Sequence, residues 1–320
     1  MQNSTSDPQV SADEIATFIA LAKRLLWAPP ALRKQIEQAG LTLVPCNFYS
    51  TIPSLSEIEN SFEDNSSQNL PVYLRKFEDE KILPYLESIS TYAAEFSPKL
   101  EESEAGPTSF FWNNSQFSNS DAMAYYSVVR HRKPHRIVEI GSGFSTLIAL
   151  EAIRRNGFGE IVCIEPYPRD FLTKLPRVRV DTRKIQSIPV DGFLEIMSGA
   201  ELLFVDSTHT VKMGSDCLYI YLNLLPAIQN KILLHAHDIF LPFGMPGEWA
   251  RKHHIYWTEQ YLLYAYLLDN PYATIKFSSA YLEHFHRAKL EKFMEGKYRS
   301  GGGSIWIEIE RNKSPGDLES

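Results

Sequence analysis

The chain has 320 residues, 44% of them hydrophobic and 22% charged, enough to bury one large α/β core with an appended piece, or two modest ones. Its 32 Lys and Arg against 39 Asp and Glu leave a formal net charge of -7, so the overall positive field of a nucleic-acid binder is absent and no nucleic-acid partner is expected. Cys46, Cys163 and Cys217 stand far apart with no CxxC pair, which argues against a zinc site or disulfide framework and suits a reducing compartment. Residues 1–11 show no basic-then-apolar leader and the longest apolar runs are of strand length, so a cytoplasmic chain without a membrane partner is expected.

Taken in order, residues 1–11 are rich in Ser, Asn and Gln and are expected to form a disordered tail. Ile15, Phe18, Ile19, Ala22, Leu25 and Leu26 then form a helical stripe that Pro29-Pro30 ends. Residues 40–70 look irregular, Tyr73 to Phe96 predicts a helix kinked near Pro84, and Ser97 to Thr108 predicts an exposed acidic loop. This mainly helical N-terminal extension, 12–115, precedes a second domain at 116–311 and a short tail at 312–320.

From Arg136 the texture changes. Apolar runs at Arg136–Gly141, Glu160–Glu165, Val178–Val180, Leu202–Asp206 and Lys231–Asp238 alternate with helical stretches from Ser145, near Lys212–Leu225 and near Tyr256–Leu268. Near-continuous apolar strands separated by helices are what a parallel sheet covered on both faces requires. Two further strands, Ala273–Phe277 and Ser304–Glu310, are joined by a segment ending in Gly301-Gly302-Gly303 and suit an antiparallel pair closing the sheet. The fold class is α/β: a doubly wound, Rossmann-like sheet of seven strands, the last antiparallel.

The first strand runs straight into Gly141-Ser142-Gly143, and a helix follows. Glycines there let the chain turn sharply and let a ligand approach the backbone, while the helix start offers free N–H groups. Glu139 precedes the turn, and Glu165 ends the second strand, where an acid can accept hydrogen bonds from both ribose hydroxyls of an adenosine ligand. A dinucleotide site would want a third glycine to admit a pyrophosphate, but position 146 is Thr. S-adenosyl-L-methionine (SAM) has no pyrophosphate and loses nothing by that change. The bland alternative is a tight turn beside a solvated strand end.

Glu-x-Gly-x-Gly after a strand, with an acid ending the next one, resembles the class I SAM-dependent methyltransferases over about residues 117–310. The resemblance implies that Glu139, Gly141, Ser142 and Gly143 face the methionine and ribose parts of SAM, that Glu165 takes the ribose hydroxyls, and that Gln186 lies beside the adenine.

The fourth strand ends in Asp206-Ser-Thr-His209 and the fifth in His235-Ala-His237-Asp238. Carboxyl ends of strands line the ligand crevice of a doubly wound sheet, so these clusters are expected to converge. Asp206, His237 and Asp238 form an oxygen and nitrogen set for Mg2+ or another divalent cation, which would acidify a bound hydroxyl. His209 is then the candidate general base. Strand alternation points His235 and His237 to one face and Asp238 to the other. The competing readings are that Asp206 caps a turn or binds the SAM amino group, and that His237 is a satisfied core histidine.

This arrangement is similar to the metal-dependent catechol-type O-methyltransferases, with His209 in place of their Lys and His237-Asp238 in place of their Asp-Asn pair. The run from Phe204 to Leu263, with Asn47–Pro53 and Phe117–Asp121, resembles a bacterial methyltransferase-domain family related to sugar and macrolide O-methyltransferases and the cephalosporin-hydroxylase group. The resemblance implies methyl transfer to a small-molecule acceptor, with His209 and His237 as catalytic residues. O-methylation is the expected reaction. N-methylation of an amine, a non-catalytic SAM-binding protein and a non-haem iron hydroxylase are its rivals. The apolar loop Ile239–Trp249 is a candidate substrate wall or lid, and aromatic content leaves room for a homodimer.

Overall fold

The computed structural model describes residues 9–63 and 71–311. Most of the expected tails, residues 1–8 and 312–320, lies outside that range. The chain divides into two compact units, 1–61 and 62–320.

In the first unit, helices run over Ala12–Leu25, Pro30–Gln38 and Leu55–Glu59. The first and third start on capping boxes: Ser11 with Glu14, and Ser54 with Glu57, each satisfy two orphan donors of the first turn. Pro30 at the first helical position sets the second, since its missing N–H would have no partner there anyway.

The second unit is built on one seven-stranded sheet: β1 Arg136–Ile140, β2 Glu160–Ile164, β3 Val178–Asp181, β4 Leu202–Val205, β5 Ile232–Ala236, β6 Ala273–Ser278 and β7 Ile305–Ile309. Their order is β3-β2-β1-β4-β5-β7-β6, with β1 to β5 parallel and β7 antiparallel between β5 and β6. The expected seven-stranded, doubly wound sheet with an antiparallel last strand is therefore present. Strand order reverses between β1 and β4, and such a switch point opens a crevice at the carboxyl ends of the strands.

The helix Asn119–Arg132, for which the sequence offers no stripe, is buried from Ser120 to Val129 and packs beside the helix Phe144–Asn156. Its Asp121 and Tyr125 reach toward the carboxyl ends of β5 and β1. The expected helix near residues 212–225 is present as Asp216–Tyr219 followed by a π-helical turn at Ile220–Leu224. Helices Ser279–Phe285 and Arg287–Met294 fill the connection from β6 to β7. Among the described residues no helix is long and apolar enough to cross a membrane.

Candidate active site

The glycine turn after β1 exists because the backbone passes very close to the end of β4. Gly141 has φ 82, and a Cβ there would stand 1.7 Å from the carbonyl oxygen of Asp206. No other residue tolerates both constraints. A Cβ at Gly143 would fall into the space before the turn, meeting only Arg169 Nε at 3.9 Å. The Oγ of Ser142 is buried beside Glu139 and Cys163.

Glu165 ends β2 beside this turn. Its carboxylate accepts from the N–H of Ser142 at 3.3 Å and of Tyr167 at 2.7 Å, and remains partly exposed. Glu139 sits behind the turn, wholly buried. It accepts from Tyr125 Oη at 2.7 Å and Thr146 Oγ1 at 2.5 Å, and Thr146 in turn accepts from the Gly143 N–H at 3.2 Å. Expected to face the cofactor, Glu139 offers it no open surface; it braces the turn instead. Burial pushes its pKa up to about 7, against the hydrogen bonds from Thr146 and Tyr125. Gln186 is exposed on the 3-10 turn Ile185–Ser187 that follows β3.

Asp206, His209, His237 and Asp238 come together at the ends of β4 and β5. His209 Nε2 lies 3.2 Å from Asp206 Oδ1 and 3.6 Å from Asp238 Oδ2. His237 Nδ1 lies 3.5 and 3.7 Å from the same two oxygens. Asp238 does not point to the opposite face as strand alternation suggests. β5 stops at Ala236, and φ 56 at Asp238 turns its carboxylate back toward His237. His235, by contrast, is a core residue: it stacks on Trp306 with centroids 3.8 Å apart, its Nε2 is 2.8 Å from Ser304 Oγ, and burial keeps it neutral.

Two carboxylates without a role in the sequence reading hold the far sides of the paired rings. Glu259, 1% exposed, lies 2.8 Å from His209 Nδ1 and accepts from Tyr221 Oη at 2.7 Å. Asp121, 4% exposed, lies 3.3 Å from His237 Nε2 and accepts from Ser279 Oγ at 2.5 Å and from the N–H groups of Gly303 and Ser304 at 2.9 and 3.1 Å. A Cβ at Gly302 would stand 2.3 Å from the Asp121 oxygens, so the triple glycine is what lets that carboxylate approach. The loop carrying His209 is pinned by its own carbonyl, which accepts from Thr258 and Glu259 N–H at 2.8 and 3.1 Å, and this holds His209 at φ 56.

These contacts set the charges. Burial opposes a charged His209, but hydrogen bonds to Asp206 and Glu259 overcome it and push its pKa up to about 10. His237 is likewise raised by Asp238, Asp206 and Asp121 against burial. Burial also opposes the Asp206 carboxylate, yet the two imidazoles hold its pKa well below the usual range, whereas burial raises Asp238. The carboxylates on both sides thus favour the protonated form of His209. Among the described residues, Asp206, His209 and Asp238 form the group whose donor atoms lie within 4.8 Å of one another.

Aromatic rings wall this cluster. Trp257 lies 4.3 Å from the His209 ring, Trp249 5.3 Å from Trp257, and Phe240 5.2 Å from Trp249, all half-buried. Gln260 fastens the loop, accepting from the Phe240 N–H at 3.0 Å and donating to the Phe243 carbonyl at 3.2 Å.

A glycine turn and acid stand at the switch point of a β3-β2-β1-β4-β5-β7-β6 sheet, a doubly wound, Rossmann-like fold. Residues 138–239 match the family model described as a methyltransferase domain. A stretch of 145 residues is 37% identical to an uncharacterized protein of Archaeoglobus fulgidus, covering 43% of this chain and 64% of that one. The chain thus spans a little under two thirds of that relative's length. A solved SAH-bound methyltransferase of Podospora anserina aligns over 71% of this chain and 88% of its own, at 18% identity and TM-score 0.38. An O-methyltransferase of Bacillus cereus with SAH aligns over 71% and 91%, at 11% identity and TM-score 0.34. Similarity this low carries no argument about the site.

Proposed function

We propose that this chain transfers the methyl group of SAM to a hydroxyl of a small-molecule acceptor in the cytoplasm. One observation carries the reading: the turn that would seat SAM and the His/Asp cluster are physically continuous, since Gly141 packs directly on the Asp206 backbone. Methyl donor and acceptor would meet across that contact, which supplies the proximity a displacement needs.

The cofactor side is assigned to Gly141, Ser142, Gly143, Glu165 and Gln186, with Asp206 between the two halves and Glu139 as the brace. The bare Gly143 and the partly exposed Glu165 carboxylate fit an adenosine ligand with hydroxyl groups to satisfy. On the acceptor side, the Trp257 and Trp249 rings supply apolar contact while His209 and His237 line the polar end.

A hydroxyl must lose its proton to become a good nucleophile, whereas an amine needs no metal and could equally use His209 as base. Asp206, His237 and Asp238 are assigned to a divalent cation. Their fit rests on His237 Nδ1, which is buried and faces the Asp206 and Asp238 carboxylates at 3.5 and 3.7 Å. When bound, the cation would act as a Lewis acid that lowers the hydroxyl's pKa. His209, held between Asp206 and Glu259, is the proposed base: its Nε2 takes the hydroxyl proton as the O–CH3 bond forms and the CH3–S bond of SAM breaks. A homodimer belongs to the same proposal and is tested by light scattering.

Incubation with SAM labelled by 13C at the methyl and with pooled hydroxyl- and amine-bearing metabolites tests the reaction. The expected product carries a 13C shift of an O-methyl group. An N-methyl product would overturn the hydroxyl assignment, and no transfer to any pool would overturn the proposal.

A further inference from the structure

Arg169 stands beside the glycine turn, carried there by the chain that leaves β2. That chain reads Glu165-Pro166-Tyr167-Pro168-Arg169, and its two prolines bar a helix. The Arg169 carbonyl accepts from the N–H of Leu172 at 2.9 Å, and Leu172 is wholly buried, so the backbone bearing the arginine is anchored. Gln116 approaches from another loop, which Asn114 ties. Asn114 Oδ1 accepts from the N–H groups of Gln116 and Phe117 at 3.1 and 2.8 Å, and its Nδ2 donates to the carbonyls of Phe111 and Phe117 at 2.7 and 2.9 Å. These two fixed loops bring the side chains together, Arg169 Nη2 donating to Gln116 Oε1 at 2.6 Å.

The guanidinium carbon also lies 5.0 Å from the centre of the Phe144 ring, which Phe111 meets edge-on at 5.4 Å. Arg169 Nε stands 3.9 Å from where Gly143 would carry a Cβ, on the same bare side of the turn that is assigned to the cofactor. What the arginine lacks is a countercharge. Arg130, Arg132, Arg136 and Arg155 each hold a glutamate, whereas Arg169 forms no ion pair among the described residues. Its partners are a neutral amide and a ring, which hold the planar fork in place without neutralising it. Gln116 takes one of the five guanidinium donors.

SAM offers such a group one anion. Its sulfonium and ammonium are cationic and would be repelled; its α-carboxylate would be attracted. With Glu165 assigned to the ribose and Gln186 to the adenine, the amino-acid end of the ligand is the part left to pass Gly143. We infer that Arg169 binds the α-carboxylate of SAM, with Gln116 and the Phe144 ring as the residues that position it. The inference rests on the reading of the glycine turn as the SAM seat, and it adds a residue that selects the cofactor by charge.

The test is calorimetric titration of the full chain with SAH, the demethylated product that keeps the carboxylate, and with decarboxylated SAH, which lacks only that group. Wild type should bind SAH about tenfold or more tightly than the decarboxylated ligand, the worth of a charge-assisted pair. Arg169→Gln should bind SAH as weakly as it binds the decarboxylated ligand, with its affinity for the latter unchanged. Arg169→Lys should fall between, because a point charge replaces the fork. Added salt should narrow the wild-type difference. Equal weakening of both ligands in Arg169→Gln would overturn the carboxylate assignment, since the residue would then act on the seat as a whole; so would an unchanged SAH affinity in that variant. Failure of wild type to bind either ligand would instead overturn the SAM reading beneath it.

Discussion

Replacing Glu139 by Gln probes the glycine turn from behind. The wild-type carboxyl is fully buried, and burial raises its pKa from 4.5 to about 7 despite the hydroxyls of Thr146 and Tyr125. A group whose pKa is raised on folding lends stability that is complete below its unfolded pKa and is lost as pH climbs through the folded one. The window here runs from about pH 4.5 to 7, and a gap of about 2.5 pH units corresponds to roughly 3 kcal/mol. Gln is a neutral near-isostere that mimics the protonated acid at every pH. Urea unfolding of ligand-free protein should therefore give similar stabilities near pH 5. Above pH 8 the Gln variant should be the more stable by about 3 kcal/mol. A difference that does not change with pH, or a wild type that is the more stable at pH 8, would refute the reasoning.

Gly141→Ala forces a Cβ to 1.7 Å from a backbone oxygen at φ 82, so the variant should lose roughly 4 kcal/mol or more, or fail to accumulate; an unchanged Tm would contradict this. Glu165→Gln should leave Tm unchanged and weaken SAH binding about 10- to 100-fold by calorimetry, the worth of charged hydrogen bonds to ribose hydroxyls. Trp257→Ala removes the ring beside His209 and should raise the KM for the acceptor by about tenfold or more, with the KM for SAM unmoved in steady-state kinetics.

The strands were legible because a parallel sheet covered on both faces demands short, nearly unbroken apolar runs, and Ile137 to Ile140, Ile161 to Ile164 and Leu202 to Val205 supply them. The helix Asn119–Arg132 was not, because it is buried on all sides and carries Ser120, Asp121 and Ser127 inward, so no 3.6-residue stripe marks it. The site divides along the same line. Asp206, His209, His237 and Asp238 announce themselves as polar residues at apolar strand ends. Asp121 gains its meaning only from Gly303 and Ser304, about 180 residues further on, which no local pattern reveals. Glu259 carried a faint signal, a lone acid amid Tyr256, Trp257 and Tyr261. The orientation of Asp238 was beyond strand alternation, since its positive φ begins where the strand has already stopped.

The central claim is that the crevice at the switch point seats SAM. Calorimetric titration of the wild-type chain with SAH, followed by NAD+, tests it most directly. One SAH per chain, with no displacement by NAD+, is the predicted result. The absence of heat with SAH, or displacement of SAH by NAD+, would contradict it.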